Sequence, residues 1–466
     1  MKKMFWPILA LVLGTAALSA CSSTEDTVGD GGDGSGNDST LVPSDDKYPA
    51  DAIVWHEDST VVLTDHLVIP EGKSLYIEPG VKVVASDSTI KPEIVVLGNL
   101  YSMGTAEKPV TFTIADNLKT DRFCRNWGGI ICGFDCKELY LDHTIMEYCG
   151  ARTTENSPSF QHQLFKTETG EGVPAVHFCN PDGSMIITNC TFRNNAEDQI
   201  YITGGKSIVA NNRFITSGYD GGEAINYKSD CLADIAYNLI YDANTNGFKL
   251  SNSGFTALQS DLNVYNNTIV NSGWRRPSKK GGSIWLESNI LVNLCNNLIY
   301  DCRWGIKEST EEGEGADPNC VITPNYYFAS TAAGVEQMTP NTDLGILSGA
   351  DDIRSLQPGQ NNPLFVNFTQ QSNININVGG NADGAPVAFN DSWDFHLQAG
   401  SPALTGGTTN VPRHFGSQGI TISGLQGILS NNVFTSPAPS TYFGAFWHQV
   451  GLCRQVWPSR PELYSQ

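Results

Sequence analysis

The sequence predicts an all-β protein built as a parallel β-solenoid, in which the chain winds into a stack of similar coils. Between Gly172 and Phe328 one short pattern recurs: a hydrophobic strand, a few polar residues, then an apolar segment that carries an asparagine. Equivalent positions recur every 22 to 30 residues, which is shorter than a propeller blade. The segments alternate with period two and have no helical periodicity. A repeat of this length with strand alternation is typical of a solenoid.

The repeated asparagines predict a ladder inside the stack. Equivalent residues of successive coils lie about 4.8 Å apart, one inter-strand spacing. Each asparagine amide can therefore bond to the asparagine of the next coil, which satisfies polar groups that would otherwise be buried without partners. The predicted column contains Cys190, Asn212, Asn238, Asn267, Asn297 and Asn325.

The first 47 residues predict export and a tether. Residues 1–20 combine two lysines with an apolar run of signal-peptide length. The sequence Leu-Ser-Ala-Cys that ends at Cys21 resembles a bacterial lipobox, which implies palmitate-type acylation of Cys21; an ordinary secretory cleavage is the alternative. Residues 21–47 are an acidic Gly/Ser tether. The acidic residues near Cys21 are similar to the signals of cell-surface lipoproteins in Bacteroidetes, so we expect a lipid anchor in the outer membrane.

Composition restricts the partners. The chain of 466 residues has a formal charge of −21, and this excess of negative charge disfavours nucleic acid as a ligand. We expect a monomer. The twelve cysteines lack the spacing of a small disulfide scaffold, so most are predicted as small core residues, with a disulfide or two left open. A metal site at Cys124, Cys132, Cys136 and His143 is disfavoured, because His143 is assigned to the asparagine column.

Three segments resemble a known family. Residues 74–81, 104–113 and 127–130 are similar to the opening coils of right-handed parallel β-helix surface proteins of Bacteroidetes, in the pectate-lyase-like superfamily. The resemblance implies a right-handed β-helix with capped ends over residues 48–446, and residues 362–366 and 394–404 resemble its closing segments. Residues 447–466 form an atypical tail. The architecture serves lyases, hydrolases and adhesins alike, so it does not specify an activity.

The outward side chains of one strand per coil predict a binding face. Alternation from Val176 onward directs a first file outward: His177, Tyr201, Asn226, Lys249, Trp285 and Lys307. A second file contains Cys179, Thr203, Lys228, Ser251, Glu287 and Ser309. Exposed aromatic residues are platforms for sugar rings, and amines attract carboxylates. We therefore predict an acidic polysaccharide as ligand, bound by Tyr201, Trp274, Arg275, Trp285 and Lys307.

Two insertions flank this predicted face. Residues 151–172 and 273–281 interrupt the repeat, and insertions of this kind often wall a binding surface. The second insertion contains Trp274 and Arg275 in a basic cluster, for which anion binding and a solvated charge cluster are both open. A groove between the two insertions would favour a ligand-binding function.

Lys228 and Lys249 are the candidate catalytic residues. The segment Glu223–Ser229 is similar to part of the β-helix alginate and chondroitin lyases, in which the lysine is the base, so the resemblance implies β-elimination by Lys228. The next coil offers Lys249 where those lyases carry an Arg-His pair. Hydrolysis is less supported, since paired aspartates are missing. Asp198 and Glu223 could bind Ca²⁺ or cap turns. The alternative function is a non-enzymatic adhesion or structural protein.

Overall fold

The computed structural model describes residues 47–164, 168–219, 221–275, 281–368, 370 and 388–446. The chain separates into Met1–Pro43 and Ser44–Gln466, and all described residues belong to the second unit. Cys21, residues 1–46 and residues 447–466 lie outside the described residues, so the predicted signal peptide, lipid anchor and tail stay predictions. Among the described residues, no helix is long and apolar enough to cross a membrane.

Most described strands belong to three parallel sheets, which confirms the predicted fold class, a right-handed parallel β-helix. Sheet A contains β1 (Ile53–Trp55), β4 (Ser74–Ile77), β7 (Asn99–Met103), β10 (Glu138–Asp142), β13 (Ser184–Thr188), β16 (Gly205–Ala210), β19 (Cys231–Ala236), β22 (Asp261–Tyr265) and β25 (Leu291–Cys295). Sheet B contains β2 (Thr60–Leu63), β5 (Lys82–Ala85), β8 (Val110–Ile114), β11 (Thr144–Glu147), β14 (Thr191–Asn195), β17 (Arg213–Ser217), β20 (Leu239–Ala243), β23 (Thr268–Val270), β26 (Leu298–Tyr300), β28 (Tyr326–Phe328) and β29 (Ile353–Arg354). Sheet C contains β3 (Leu67–Ile69), β6 (Ile94–Val96), β9 (Ile130–Cys132), β12 (Val176–Phe178), β15 (Ile200–Ile202), β18 (Ile225–Tyr227), β21 (Asn246–Ser251), β24 (Gly282–Glu287) and β27 (Ile306–Glu308).

The remaining elements are short. Two antiparallel pairs lie near the C-terminal end of the described chain: β30 (Phe365–Asn367) with β31 (Asp394–Leu397), and β32 (Ile420–Thr421) with β33 (Val433–Phe434). The α-helices are α1 (Pro158–Gln161) and α2 (Ala332–Met338). Single 3₁₀ turns span Asp116–Leu118, Thr342–Leu344, Pro402–Leu404 and Ser423–Leu425.

The predicted asparagine ladder is present between sheets A and B. The Asn267 side-chain amide donates to Asn297 Oδ1 at 2.9 Å, and Asn238 donates to Asn267 Oδ1 at the same distance. Each Oδ1 also accepts the backbone N–H of the preceding ladder residue, as in the 3.1 Å bond from Asn267 N–H to Asn297. Cys190 begins the ladder by donating its N–H to Asn212, and Asn325 donates to Asp352 at the other end. The ladder residues have no more than 1 % exposure, so water cannot reach their polar groups and the ladder itself supplies their hydrogen bonds.

The residue before each ladder position from Cys190 to Asn297 has a left-handed backbone. Asn211, Asn266 and Asn296 have φ of 58°, 51° and 59°, a conformation that asparagine tolerates better than most residues. His143 has φ of 44° and belongs to this left-handed column, because Thr144 is the residue that aligns with Cys190. The assignment of His143 to the ladder was therefore wrong by one residue.

The described cysteines are structural thiols. All ten are free, and most are buried, so no disulfide occurs within the described part of the chain. The same residues contain no group of three His, Cys, Asp or Glu side chains placed to hold a metal ion.

The C-terminal part of the described chain covers two of the three outer faces. Phe365, Phe395 and Phe443 pack on the outer face of sheet B, and Phe415 and Leu425 pack on that of sheet A. Asp234 fixes the second contact, since its carboxylate accepts the N–H groups of residues 414 and 415 at 3.1 and 2.8 Å. The predicted closing segments therefore run back along the sheets. These contacts involve the outer faces of sheets A and B, and the third outer face is that of sheet C.

Candidate functional site

The outer face of sheet C changes character along the stack. Strand register places Val68, Val95 and Ile131 in one outward file. The same file continues with polar and aromatic residues: His177, Tyr201, Asn226, Lys249, Trp285 and Lys307. This register confirms the predicted alignment of the strands. We call the outer face of sheet C from His177 to Lys307 the polar face.

The insertion at residues 151–172 covers the apolar part of sheet C. Leu164 packs against Val95 and Ile131. Ser159, in α1, donates its N–H and its hydroxyl to the buried Glu93 carboxylate at 2.7 and 2.9 Å. This insertion therefore shields the first coils, and the polar face begins where those apolar contacts end.

A network of charges occupies the centre of the polar face. Lys249 Nζ lies 3.2 Å from Glu287 Oε1, and Trp285 Nε1 donates to Glu287 Oε2 at 2.7 Å. Lys228 Nζ donates to Ser253 Oγ at 3.1 Å. Residues i and i+2 of a strand point to the same side, so Trp285 and Glu287 meet on one strand. The charges of Lys249 and Glu287 act on Lys228, so the two predicted lysines belong to one electrostatic cluster.

Burial makes Lys228 an unusual lysine. Its side chain is among the buried residues, with 6 % exposure. Desolvation, together with the positive charge of Lys249, lowers the pKa of Lys228 to about 8. For Lys249 burial also acts to lower the pKa, but Glu223 and Glu287 outweigh it and raise the pKa above its usual range. Lys228 therefore has a substantial neutral fraction at slightly alkaline pH, whereas Lys249 stays charged.

Tyr201 lies next to Lys228. Lys228 Nζ is 5.7 Å from the centroid of the Tyr201 ring, and the His177 ring lies 5.8 Å away on the other side. Burial and the negative charges of Asp198 and Glu223 raise the pKa of Tyr201, so its phenol keeps its proton at neutral pH. Burial lowers the pKa of His177 to about 3, which keeps that ring neutral. The polar face thus pairs a potential proton acceptor with a potential proton donor.

Trp285 and Lys307 form the next part of the polar face. Trp285 is only 5 % exposed, so it is not the exposed platform that the sequence predicted. Neighbouring coils are one strand spacing apart, and long side chains therefore cover one another. Lys307 Nζ lies 5.9 Å from the Trp285 ring and 4.4 Å from the Trp304 ring.

Asp198 and Glu223 interact as a carboxyl pair. Asp198 Oδ1 accepts the Glu223 N–H at 2.9 Å, and its Oδ2 accepts the Asn226 amide at 2.7 Å. Burial and the charge of Glu223 raise the pKa of Asp198 well above its usual range. Against the effect of burial, a hydrogen bond with Asp198 and the charges of Lys249 and Lys228 lower the pKa of Glu223. Asp198 therefore holds its proton more tightly than Glu223 does.

This pair does not fit the predicted calcium site. Calcium requires six to eight oxygen ligands, but both Asp198 oxygens already accept N–H donors. The nearby ammonium groups would also repel a cation. The bond from Glu223 N–H to Asp198 agrees with the alternative of turn capping.

Trp274 and Arg275 have structural partners away from the polar face. Trp274 Nε1 donates to the Asp301 carbonyl at 2.7 Å. Arg275 is 2 % exposed. Its guanidinium donates to Asp242 Oδ1 at 3.0 Å and to the Gly218 carbonyl at 2.6 Å. Their prediction as ligand-binding residues is corrected, because neither side chain can reach a surface ligand. Residues 276–280 lie outside the described residues.

Sequence reasoning missed the roles of two residues. Glu287 was placed in the second file without a function, yet it joins Lys249 to Trp285. Ser253 binds Lys228 from the turn after β21. The signal for Glu287 was its position two residues after Trp285. The Ser253 contact had no sequence signal, since it depends on how that turn folds back over the preceding coil.

Comparison with known proteins agrees with the fold. A family model described as a right handed beta helix region matches residues 178–346, and one described as a pectate-lyase like beta helix domain matches residues 47–161. The chain is a right-handed parallel β-helix. The second match supports a likeness to the pectate-lyase-like superfamily over residues 47–161. Searches of the curated proteins and of the solved structures found no match.

Proposed function

We propose that this β-helix binds an acidic polysaccharide on the polar face and cleaves it by β-elimination with Lys228 as the base. The observation that carries the proposal is the meeting of Lys228, whose pKa is lowered to about 8, with the protonated phenol of Tyr201. A base with a pKa near the working pH combines adequate basicity with a useful neutral fraction. Lys249 and Lys307 supply positive charge on the same face.

The proposed reaction assigns one proton transfer to each of two side chains. The neutral Lys228 amine takes the proton from C5 of a uronate residue. The C4–O bond breaks, the electron pair of the C5–H bond becomes the C4–C5 double bond, and the leaving oxygen takes the phenolic proton of Tyr201. The substrate carboxylate must be neutralised for C5 to lose its proton, and the ammonium groups of Lys249 and Lys307 would do this. Solvent then restores the proton to Tyr201 and removes it from Lys228.

The decisive experiment follows the ultraviolet absorbance of the unsaturated uronate on alginate, pectate, chondroitin and heparin, with and without calcium. We expect a rise on one of these substrates, and a rate that increases as pH passes through about 8, the pKa of Lys228. Lys228→Ala should lower the rate at least about 100-fold, the usual contribution of a general base. Lys206→Ala, which removes an exposed lysine of sheet A, is the matched control. An active Lys228→Ala variant would exclude Lys228 as the base.

One observation favours the alternative, a non-enzymatic adhesion or structural protein. Glu287 already forms an ion pair with Lys249 and accepts a hydrogen bond from Trp285, so these groups at the centre of the polar face have partners within the protein. If none of the four glycans shows new absorbance, the same panel should be tested for binding, with Trp285→Ala as the comparison. Binding without elimination would assign an adhesin, and no binding would leave a structural role.

We also propose that Cys21 is acylated and anchors the protein to the outer membrane, with the β-helix on the cell surface. The support is the lipobox-like sequence that ends at Cys21 and the acidic tether that follows it. Metabolic labelling with a palmitate analogue should mark the wild type but not Cys21→Ser. Labelling of the variant would show that Cys21 is not the acylated residue.

A further inference from the structure

An aromatic and cationic platform lies at the edge of sheet C where the chain arrives from sheet B. Tyr219, in the turn between β17 and β18, is 56 % exposed. The Arg125 guanidinium carbon lies 4.5 Å from the centroid of its ring, and the Phe123 ring packs edge-on at 6.0 Å. A cation over the face of an aromatic ring is attracted by the ring quadrupole, so Tyr219 and Arg125 form one aromatic and cationic unit.

The platform is held from several sides. The Tyr219 N–H donates to the Ala196 carbonyl at 2.8 Å, and the Asn244 amide donates to the Tyr219 carbonyl at 3.1 Å. Phe123 is buried beneath, and the guanidinium of the buried Arg275 lies 5.7 Å from its ring. The basic residue that the sequence suggested for ligand binding therefore supports the platform from inside.

The chemistry of the platform fits an anionic sugar. The C–H groups of a pyranose ring pack on an aromatic face, and a guanidinium binds a carboxylate or sulfate with two parallel hydrogen bonds. Tyr219 lies in the turn before β18, and Lys228 directly follows that strand, so the two residues flank β18. We propose that Tyr219 and Arg125 form a subsite for an anionic sugar unit of the glycan whose backbone crosses the polar face. This inference rests on the proposed function.

The test measures binding of the full chain to polygalacturonate, which carries carboxylates, to dextran sulfate, which carries sulfates, and to neutral dextran. Arg125→Gln should weaken binding of the preferred anionic polymer at least about tenfold, the usual effect of losing hydrogen bonds between two charged groups. Tyr219→Ala should weaken it to a similar degree. Tyr219→Phe should bind like the wild type, because the ring and not the hydroxyl forms the platform. The two anionic polymers distinguish a carboxylate ligand from a sulfate ligand.

Lys206→Gln is the matched control, because it removes an equal charge from the exposed outer side of sheet A. An equal loss of affinity in Lys206→Gln and Arg125→Gln would overturn the inference, since the effect would then be that of net charge. If Arg125→Gln and Tyr219→Ala bind like the wild type while Trp285→Ala does not, the platform is excluded and the polar face stands. If the wild type binds no acidic glycan, including the four of the elimination assay, the proposed function itself fails.

Discussion

Two columns of buried polar side chains run along the same β-helix, the asparagine ladder between sheets A and B and the polar face of sheet C. In the ladder every coil from Asn212 to Asn325 supplies the same amide, and each amide repeats the same bonds to its neighbours. On the polar face each coil supplies a different group, and Lys228 keeps its charge at an energetic cost. Identical residues in a stack form a structural element, whereas different residues at equivalent positions point to selection for a ligand or a reaction.

The largest effect is expected from breaking the ladder in its middle. Asn267→Ala removes the acceptor of Asn238 N–H and of the Asn238 amide, and the donor to Asn297. Each buried group left unsatisfied costs about 1–3 kcal/mol, so the free energy of unfolding should fall by about 4 kcal/mol. Urea denaturation measures the change.

The control for this prediction is Asn156→Ala, since Asn156 is exposed and lies before α1. Its effect should remain within about 0.5 kcal/mol, as for most surface substitutions. A loss below about 1 kcal/mol in Asn267→Ala would mean that water replaces the missing amide and that the ladder is not a main source of stability.

The same contrast explains which features the sequence could predict. The fold and the ladder residues could be predicted from the repeats, because several similar coils constrain the same alignment. The misplacement of His143 occurred in a coil without an asparagine, where only the local pattern was available. The file of outward residues on sheet C was also predictable, since strand alternation determines it.

The contacts of the polar face were not predictable in the same way. The burial of Trp285 depends on the side chains of adjacent coils, which no single repeat contains. Arg275 is bound by Asp242 and Gly218, more than 30 residues earlier, so its charge alone suggested a surface role that the fold does not allow. The pairing of Arg125 with Tyr219 likewise joins two turns that lie far apart in the sequence.

A smaller effect of opposite sign is expected on the polar face. Lys228→Met removes a buried ammonium and keeps most of the apolar stem. The pKa of Lys228 is about 8 in the folded chain and about 10.4 in an unfolded chain, so the folded state binds its proton less tightly. The resulting penalty is fully present below pH 8 and disappears as pH rises towards 10.4. At pH 7 the variant should therefore be more stable than the wild type by up to about 3 kcal/mol, less the lost bond to Ser253.

The measurement compares urea unfolding of wild type and Lys228→Met between pH 7 and pH 10.5, with Lys206→Met as the exposed control. The advantage of Lys228→Met should shrink as pH rises, because the wild type loses the cost of its buried charge while the variant has no such group. A difference that stays constant across this range would show that the folded chain does not disfavour the charged form of Lys228. It would also remove the physical basis for Lys228 as a base, because an ordinary lysine is almost fully protonated at pH 8. A difference that shrinks would instead show that the buried charge of Lys228 destabilises the fold at the position where the proposed reaction needs a base. The ladder residues are uncharged, so the ladder carries no such destabilising charge.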